Sequence, residues 1–364
     1  MFFSPTLGYN ASGFKFHPVL FGQTHRPAPM PETHHRDSVS LDNDLKARRT
    51  TVIRQIVEEL GSAKKPLFMA FDFDGTLSPF KKNPQDSFLS EENYQRFSKL
   101  IDLHQQRFGG PLAIVTGRPV EDILNFFGTD ANGRSRLLGR PVLINGLHGG
   151  VVFNCETNAY ELEASETQKQ AISRLNESLA RRDFVNRYRE ASGEPLYIEN
   201  KQFTLAIHTK SLPKSKAQEA EAEFRQLVDE LGLCNPTLPA QERFILKPGE
   251  GLLEVVPANF NKNRGLDWLL SNQAQNRHLF FIGDGETDND GFARINRLGK
   301  DATSVFIGKP REGILAKYVV PNPKHTGDIS TETEVGDRER TQVSQLNVDA
   351  AHQIIQGVLE RYQG

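Results

Sequence analysis

The sequence predicts an α/β protein: a doubly wound parallel sheet of Rossmann-like layering, carrying an inserted α+β cap. Three features predict it. Short apolar runs flanked by Gly and Pro recur along the chain, as strands buried on both faces require. Segments with helical spacing lie between those runs, the alternation of a wound α/β core. A central stretch breaks the rhythm and shows the period-two pattern of half-buried strands.

Residues 1–45 are rich in Pro, His, Gly and polar side chains, and Pro29-Met30-Pro31 and His34-His35 interrupt any period. Such a segment buries too little apolar surface to offset chain entropy, so a disordered or loosely attached extension is expected. The paired histidines lack a further ligand group at a site-like spacing, which favours a solvated tail over a metal site. Order is expected from about residue 48, where Ile53, Ile56, Val57 and Leu60 follow helical spacing. The strand candidates are Leu67–Phe71 ending in Asp72, Pro111–Val115 ending in Thr116, Val142–Ile144, Leu279–Ile282 and Val305–Ile307. Tyr94, Phe97 and Ile101 mark an intervening helix.

Residues 149–256 read as the inserted cap. Phe203, Leu205 and Ile207 alternate with Thr204, Ala206 and His208, and Phe244–Leu246 and Leu252–Val255 are further strands. Ile172, Leu175 and Leu179, then Ala217, Ala220, Phe224, Leu227 and Leu231, mark its helices. The core is therefore assigned to residues 46–148 and 257–364. A polar stretch from His325 to Gln345 is expected as a flexible excursion. Ala351, Ile354, Ile355 and Val358 mark a terminal helix that packs back on the core.

The chain has 364 residues, with 44 basic and 46 acidic side chains and a net charge of -2, a balance that suggests no nucleic-acid partner. It has no run of about twenty apolar residues, so no membrane span is expected. Met1-Phe2-Phe3-Ser4-Pro5 lacks the basic-then-apolar order of a secretory signal. Cys155 and Cys234 permit one disulfide but no disulfide framework. A reducing, cytoplasmic location is the simpler expectation, with the extension as the segment that could carry an address. The sequence names no protein partner, and no repeat is visible.

Chemistry concentrates in Phe71-Asp72-Phe73-Asp74-Gly75-Thr76-Leu77, at the end of the first strand candidate. In open α/β sheets, ligands gather outside the carboxyl ends of strands. Carboxylates two residues apart on a strand point to one side, and their repulsion calls for a cation or a shared proton. Mg²⁺ takes such oxygen ligands and sits beside phosphates. Thr116-Gly117-Arg118 offers a hydroxyl and N–H groups to phosphate oxygens. Taken singly, the elements have plainer readings. Asp72-x-Asp74 and Gly283-Asp284-Gly285-Glu286-Thr287-Asp288 read as acidic turns, and Lys262 as a solvated lysine before the helix of Leu266, Leu269 and Leu270. Together, in the order Asp, Thr, Lys, Asp at strand ends or helix starts, they resemble the haloacid dehalogenase-like phosphatases.

The resemblance narrows to trehalose-6-phosphate phosphatases. Leu147-His148-Gly149-Gly150, Ile198-Glu199-Asn200-Lys201, Ala206-Ile207-His208, Leu253-Glu254-Val255-Val256-Pro257, Asn261-Lys262 and Gly283-Asp284-x-x-Thr287-Asp288-x-Asp290-x-Phe292 are similar to that family in order and approximate spacing. The similarity spans residues 66 to about 320. Gly285 stands where that family usually has a second Asp, Asn289 where it has Glu, and Asn263 where it has Gly. Lys210 stands where Arg is common, and Val151 where an acid is common. Gly285 bears on the metal site; Val151 and Lys210 bear on the choice of sugar.

The resemblance implies a Mg²⁺-dependent, two-step phosphoryl transfer on a small-molecule sugar phosphate. Asp72 would be the nucleophile, and Asp74 the general acid and then base. Thr116 and Lys262 would stabilise phosphoryl oxygens, with Gly117 and Arg118 in the same phosphate contacts. The metal would be held by Asp72, the Asp74 carbonyl and Asp284. Asp288 would support the metal or orient Lys262, or cap the following helix. From the cap, Glu199, Lys201 and Glu254 would read sugar hydroxyls, with His148 and His208 as weaker candidates. The nearest rival reading is a related phosphatase for sucrose phosphate or mannosylphosphoglycerate. A rival from another class is an effector or binding protein on a vestigial phosphatase fold, against which the intact Asp72, Asp74, Lys262 and Asp284 argue.

Overall fold

A computed structural model describes residues 34–81, 83–249, 251–322 and 337–363. Two compact units are distinguished, Met1–Ser40 and Leu41–Gly364. Of the first, only residues 34–40 are described, as helix.

The chain begins with α1 (His34–Gly61), β1 (Leu67–Asp72), α2 (Glu91–Phe108), β2 (Leu112–Val115), α3 (Val120–Phe126) and β3 (Val142–Gly146). β4 (Val151–Asn154) and β5 (Ala159–Leu162) follow. The insertion contains α4 (Glu166–Arg181), α5 (Phe184–Arg187), α6 (Arg189–Ser192), β6 (Tyr197–Asn200), β7 (Leu205–His208), α7 (Lys214–Glu230), β8 (Phe244–Gly249) and β9 (Leu252–Pro257). The chain then returns through α8 (Lys262–Asn272), β10 (His278–Gly283), α9 (Asn289–Asn296), β11 (Ala302–Gly308), β12 (Tyr318–Pro321) and α10 (Asp337–Gln363).

The larger sheet has eight strands in the order β12-β11-β10-β1-β2-β3-β4-β5. From β12 to β3 all pairings are parallel; β4 and β5 add antiparallel strands at one edge. The chain leaves β1 toward β2 on one side, and β10 flanks β1 on the other. The carboxyl end of β1 is therefore where the winding changes direction, the place where such sheets bind ligands.

Every residue of β1 is buried, because both faces of the sheet are covered. Leu67, Met69 and Phe71 pack in one cluster with Ile56 and Leu60 of α1, Phe97 and Ile101 of α2, and Ile354, Ile355 and Val358 of α10. Phe68 and Ala70 face the other way, against Leu266 and Leu269 of α8 and Phe292 and Ile295 of α9. Each fully buried Phe of this kind contributes about 1.5–3 kcal/mol relative to exposure. The inserted module has its own sheet, β6-β7-β9-β8, and its own core, in which Ile172, Leu175, Phe224 and Leu227 cover Leu205, Ile207, Leu253 and Val255. The doubly wound α/β core with an inserted α+β module is thus the fold of this chain.

Several boundaries differ from the sequence reading. Val151 pairs with Gly146, so β4 and β5 extend the larger sheet to Leu162, past the division drawn at residue 149. Helix begins at His34, inside the segment expected to be disordered; residues 1–33 lie outside the described residues. Of the polar stretch His325–Gln345, residues 325–336 lie outside the described residues, while 337–345 open α10. The terminal helix packs as expected, with Ala351, Ile354, Ile355 and Val358 fully buried. Both cysteines are free thiols. No helix among the described residues is long and apolar enough to cross a membrane.

Candidate active site

The site starts where β1 stops. After Asp72 the chain turns back on itself, with the Leu77 and Ser78 N–H groups donating to the Phe73 carbonyl at 2.9 and 3.0 Å. Gly75 occupies the turn with φ +79°, the left-handed region that side chains disfavour. A Cβ there would also stand 2.0 Å from Asp284 Oδ2. Glycine thus lets the loop after β1 press against the carboxylate that follows β10.

Lys262, the first residue of α8, is aimed by a cap: Asn261 Oδ1 accepts from the Arg264 N–H at 3.0 Å. The lysine is buried, and its Nζ lies 3.0 Å from Asp72 Oδ1 and 2.5 Å from Asp288 Oδ1. Burial opposes its charge, but Asp72 and Asp288 outweigh that and raise its pKa. The other Asp288 oxygen accepts from the Gly285 N–H at 2.9 Å. Asp288 makes no side-chain cap to α9, so the capping role expected as an alternative is absent.

One oxygen each from Asp72, Asp284 and Asp288 comes within 4.8 Å of the others. Burial first, then Asp288, pushes Asp72 up to about 8 despite Lys262. Burial and then Asp72 push Asp284 well above the usual carboxylate range. Three hard oxygen donors whose charge one lysine does not balance suit a small divalent cation such as Mg²⁺. Among the described residues no cation pairs with Asp284, and its Oδ1 accepts no hydrogen bond, which leaves that oxygen open to such an ion.

Asp74 faces elsewhere. Arg118 grips it with two bonds, Nε to Oδ2 and Nη2 to Oδ1, each 2.7 Å. Arg118 also donates to Ser87 Oγ at 3.0 Å and lies 4.8 Å from the Phe126 ring centre. Arg118 thus joins Asp74 to the end of β2, beside Thr116 and Gly117. Thr116, buried at the end of β2, accepts through its hydroxyl from the Arg118 N–H at 3.2 Å. Gly117 is held as glycine by His148: a Cβ would meet the imidazole Cε1 at 2.5 Å. Leu147 and His148 both have left-handed backbones, φ +50° and +54°, a strain that persists where surrounding structure imposes it. Burial, then Lys247 and Lys262, lowers the His148 pKa to about 4, so the ring is neutral.

The cap sheet brings a polar row together. Glu199, Ala206, Glu254 and Lys247 pair side by side across β6, β7, β9 and β8, on the face opposite the cap core. Lys201 bridges Glu199 at 3.3 Å and Glu254 at 3.1 Å. Thr204 donates to Glu254 at 2.7 Å, and His208 Nε2 lies 3.0 Å from Glu199. Burial works to raise Glu199, but His208 and Lys201 hold it below the carboxylate range. This row faces the larger sheet: His148 feels Lys247, Glu254 and Lys201, and Asp122 of α3 feels Glu199 and Lys201.

The structure thus gathers Asp72, Lys262, Asp284 and Asp288 in one array, Asp74 with Arg118 beside Thr116 and Gly117, and the four cap candidates Glu199, Lys201, His208 and Glu254 in one cluster, of which Lys201 and Glu254 lie near His148. Sequence reasoning missed Lys247, Thr204, Asp122 and Asn347. Lys247 was legible in part, since it follows the recognised strand Phe244–Leu246 and alternates with the apolar Leu246. The other three carry no local signal.

The family model of haloacid dehalogenase-like hydrolases matches residues 69–296, and the chain belongs to that family. It is accordingly an enzyme, a phosphoric monoester hydrolase. Among curated relatives, a probable trehalose-phosphate phosphatase I of Arabidopsis thaliana is 25% identical over 285 residues, 76% of this chain and 69% of that protein. Trehalose 6-phosphate phosphatase RA3 of Zea mays is 25% identical over 289 residues, 77% of this chain and 73% of its own. The C-terminal domain of a C. albicans trehalose-6-phosphate phosphatase shares the fold, with a TM-score of 0.53 at 15% identity, over 82% of this chain and 96% of that domain.

Proposed function

We propose that this phosphatase hydrolyses trehalose 6-phosphate to trehalose and phosphate through an aspartyl phosphate on Asp72, with Mg²⁺ as cofactor. The observation that carries the reading is the buried Lys262 between Asp72 and Asp288, beside Asp284 and under a polar cap face. The printed names of the relatives support the choice of sugar.

In the first step an Asp72 carboxylate oxygen bonds to phosphorus as the bond to the sugar oxygen breaks, and Asp74 gives that oxygen its proton. In the second, Asp74 takes a proton from water, the water oxygen bonds to phosphorus, and the Asp72–phosphorus bond breaks. Lys262, the Thr116 hydroxyl and the Gly117 N–H meet the charge on the equatorial oxygens. Both Asp288 oxygens are engaged, so we assign it to aiming Lys262. Arg118 fixes where the Asp74 carboxyl sits. Asp72, the Asp74 carbonyl and Asp284 would hold Mg²⁺, which supplies neutralisation of phosphate charge. Glu199, Lys201 and Glu254, with Lys247 and His208, bind the sugar hydroxyls.

Phosphate release from trehalose 6-phosphate, sucrose 6-phosphate, mannosylphosphoglycerate and p-nitrophenyl phosphate tests this reading. Trehalose 6-phosphate should have the highest kcat/KM. EDTA should silence the enzyme, and Mg²⁺ but not Ca²⁺ should restore it, since calcium demands more ligands at longer distances. A higher kcat/KM on another sugar phosphate would overturn the sugar assignment. Absence of turnover on all of them with Mg²⁺ would overturn the catalytic reading in favour of a binding protein.

A further inference from the structure

The C-terminal helix lies beyond the stretch that the family model matches, yet it reaches into the site. Three of its residues contact the catalytic loops. Ser344 Oγ accepts from the Phe80 N–H at 2.7 Å, and His352 Nε2 lies 3.4 Å from the Leu77 carbonyl, both on the loop after Asp74. Asn347, between them, is buried, and its Nδ2 donates to Asp284 Oδ2 at 3.4 Å. Residues 344, 347 and 352 fall on one side of a helix at 100° per residue.

The direction of the Asn347 amide follows from its other partner. Asn322 Nδ2 donates to Asn347 Oδ1 at 2.8 Å, which commits the oxygen and leaves the NH₂ group to face Asp284. Among the described residues, this is the one hydrogen bond that Asp284 accepts. Lys262 serves the other two carboxylates, and Gly285, next in the chain, brings no side chain.

We propose that Asn347 is a positioning residue for the metal: through Asn322 and Asn347 the C-terminal helix holds Asp284 in the pose that accepts Mg²⁺. One Asp284 oxygen is steadied by the amide and the other stays available to the ion. The amide carries no charge, so it orients the carboxylate without competing for the cation as a second lysine would. The role rests on the Mg²⁺ reading given above.

Isothermal titration of the full chain with Mg²⁺, after EDTA treatment and dialysis, tests it. Asn347→Leu keeps the approximate volume and removes the donor; Asn347→Ala is the second variant. Exposed Gln345→Ala on the same helix is the control. Groups that orient metal-binding carboxylates typically contribute tenfold or more, so both Asn347 variants should raise the Mg²⁺ Kd by about tenfold. The melting temperature without metal should stay near the parent value. In phosphate release the loss should sit in the Mg²⁺ activation constant, with kcat recovered at saturating Mg²⁺ and the sugar-phosphate KM unchanged. A Kd within about twofold of the parent in both variants overturns the proposal, as does a fall in metal-free melting temperature without a change in Kd. A parent chain that binds no Mg²⁺ overturns the metal reading itself.

Discussion

Replacing Lys262 with Met removes the charge at the centre of the site while keeping most of the side chain's length. The parent side chain is 5% exposed, so the ammonium has no water to fall back on, and its bonds to Asp72 and Asp288 are 3.0 and 2.5 Å. Removing one partner of a buried ion pair costs about 3–5 kcal/mol, because the remaining charges stay buried and unpaired. In a chain of this size that is about 4–7 °C in melting temperature without metal. The deficit should depend on pH. Burial and Asp288 already hold Asp72 up to about 8 with the lysine present, and without it the carboxyl keeps its proton to still higher pH. A carboxyl with a folded pKa above its unfolded value of about 3.9 binds more protons when folded, so its contribution to stability falls as pH rises. Calorimetry in EDTA should therefore show a larger gap between variant and parent at pH 8 than at pH 5.5. With Mg²⁺, phosphate release should drop by about 10²–10³-fold, the scale of losing one preorganised cation beside the transition state. A shift of about 1 °C or less at both pH values, with kcat/KM within about tenfold, would mean that Lys262 behaves as a solvated surface lysine and would refute the reasoning.

Gly75→Ala should cost about 1–2 kcal/mol from its left-handed backbone and weaken Mg²⁺ activation by about tenfold, because the methyl group displaces Asp284; unchanged Mg²⁺ dependence would contradict the packing. Alanine at Glu199, Lys201 or Glu254 should lower kcat/KM on trehalose 6-phosphate by about tenfold while p-nitrophenyl phosphate, which offers no hydroxyls, is hardly affected. Equal losses on both substrates would place these side chains in support of the fold instead. Burial lowers His104 and His352 to about 4, below their unfolded pKa of about 6.5, so the unfolded chain gains protons first as pH falls between those values. Their stabilisation is complete above about pH 6.5 and is lost toward about pH 4. Asp72 and Asp284, whose raised pKa values act in the opposite sense, are common to parent and variant, so the change in urea midpoint between pH 7 and pH 5 should be less negative in His104→Asn than in the parent; identical slopes would remove His104 from that account.

Hydrophobic period and residue order, both local properties of a chain, were enough for the wound core and the inserted module, and with the family resemblance they singled out Asp72, Lys262, Asp284 and Asp288, which the fold brings together. A strand buried on both faces has to be apolar throughout, and a reactive group at its end has to interrupt that run, so the sequence alone announces the place. Pairing across distance has no such mark. Val151-Val152-Phe153 is apolar whether it joins the larger sheet or opens the cap, and its antiparallel register with β3 decided which. Nothing near Arg118 in the sequence announces its two bonds to Asp74, 44 residues earlier. Asn347 is one amide on an amphipathic helix, with nothing in its neighbours to point at a metal. Its place beside Asp284, 63 residues earlier, exists only because α10 packs against the loop that follows β1. The sequence by itself determined where the candidate carboxylates and the lysine fall relative to strand ends and helix starts, because residue type and local period are written along the chain. Which of them touch, and which silent residues join them, was decided by tertiary packing, since those contacts are set by the burial of whole elements against one another.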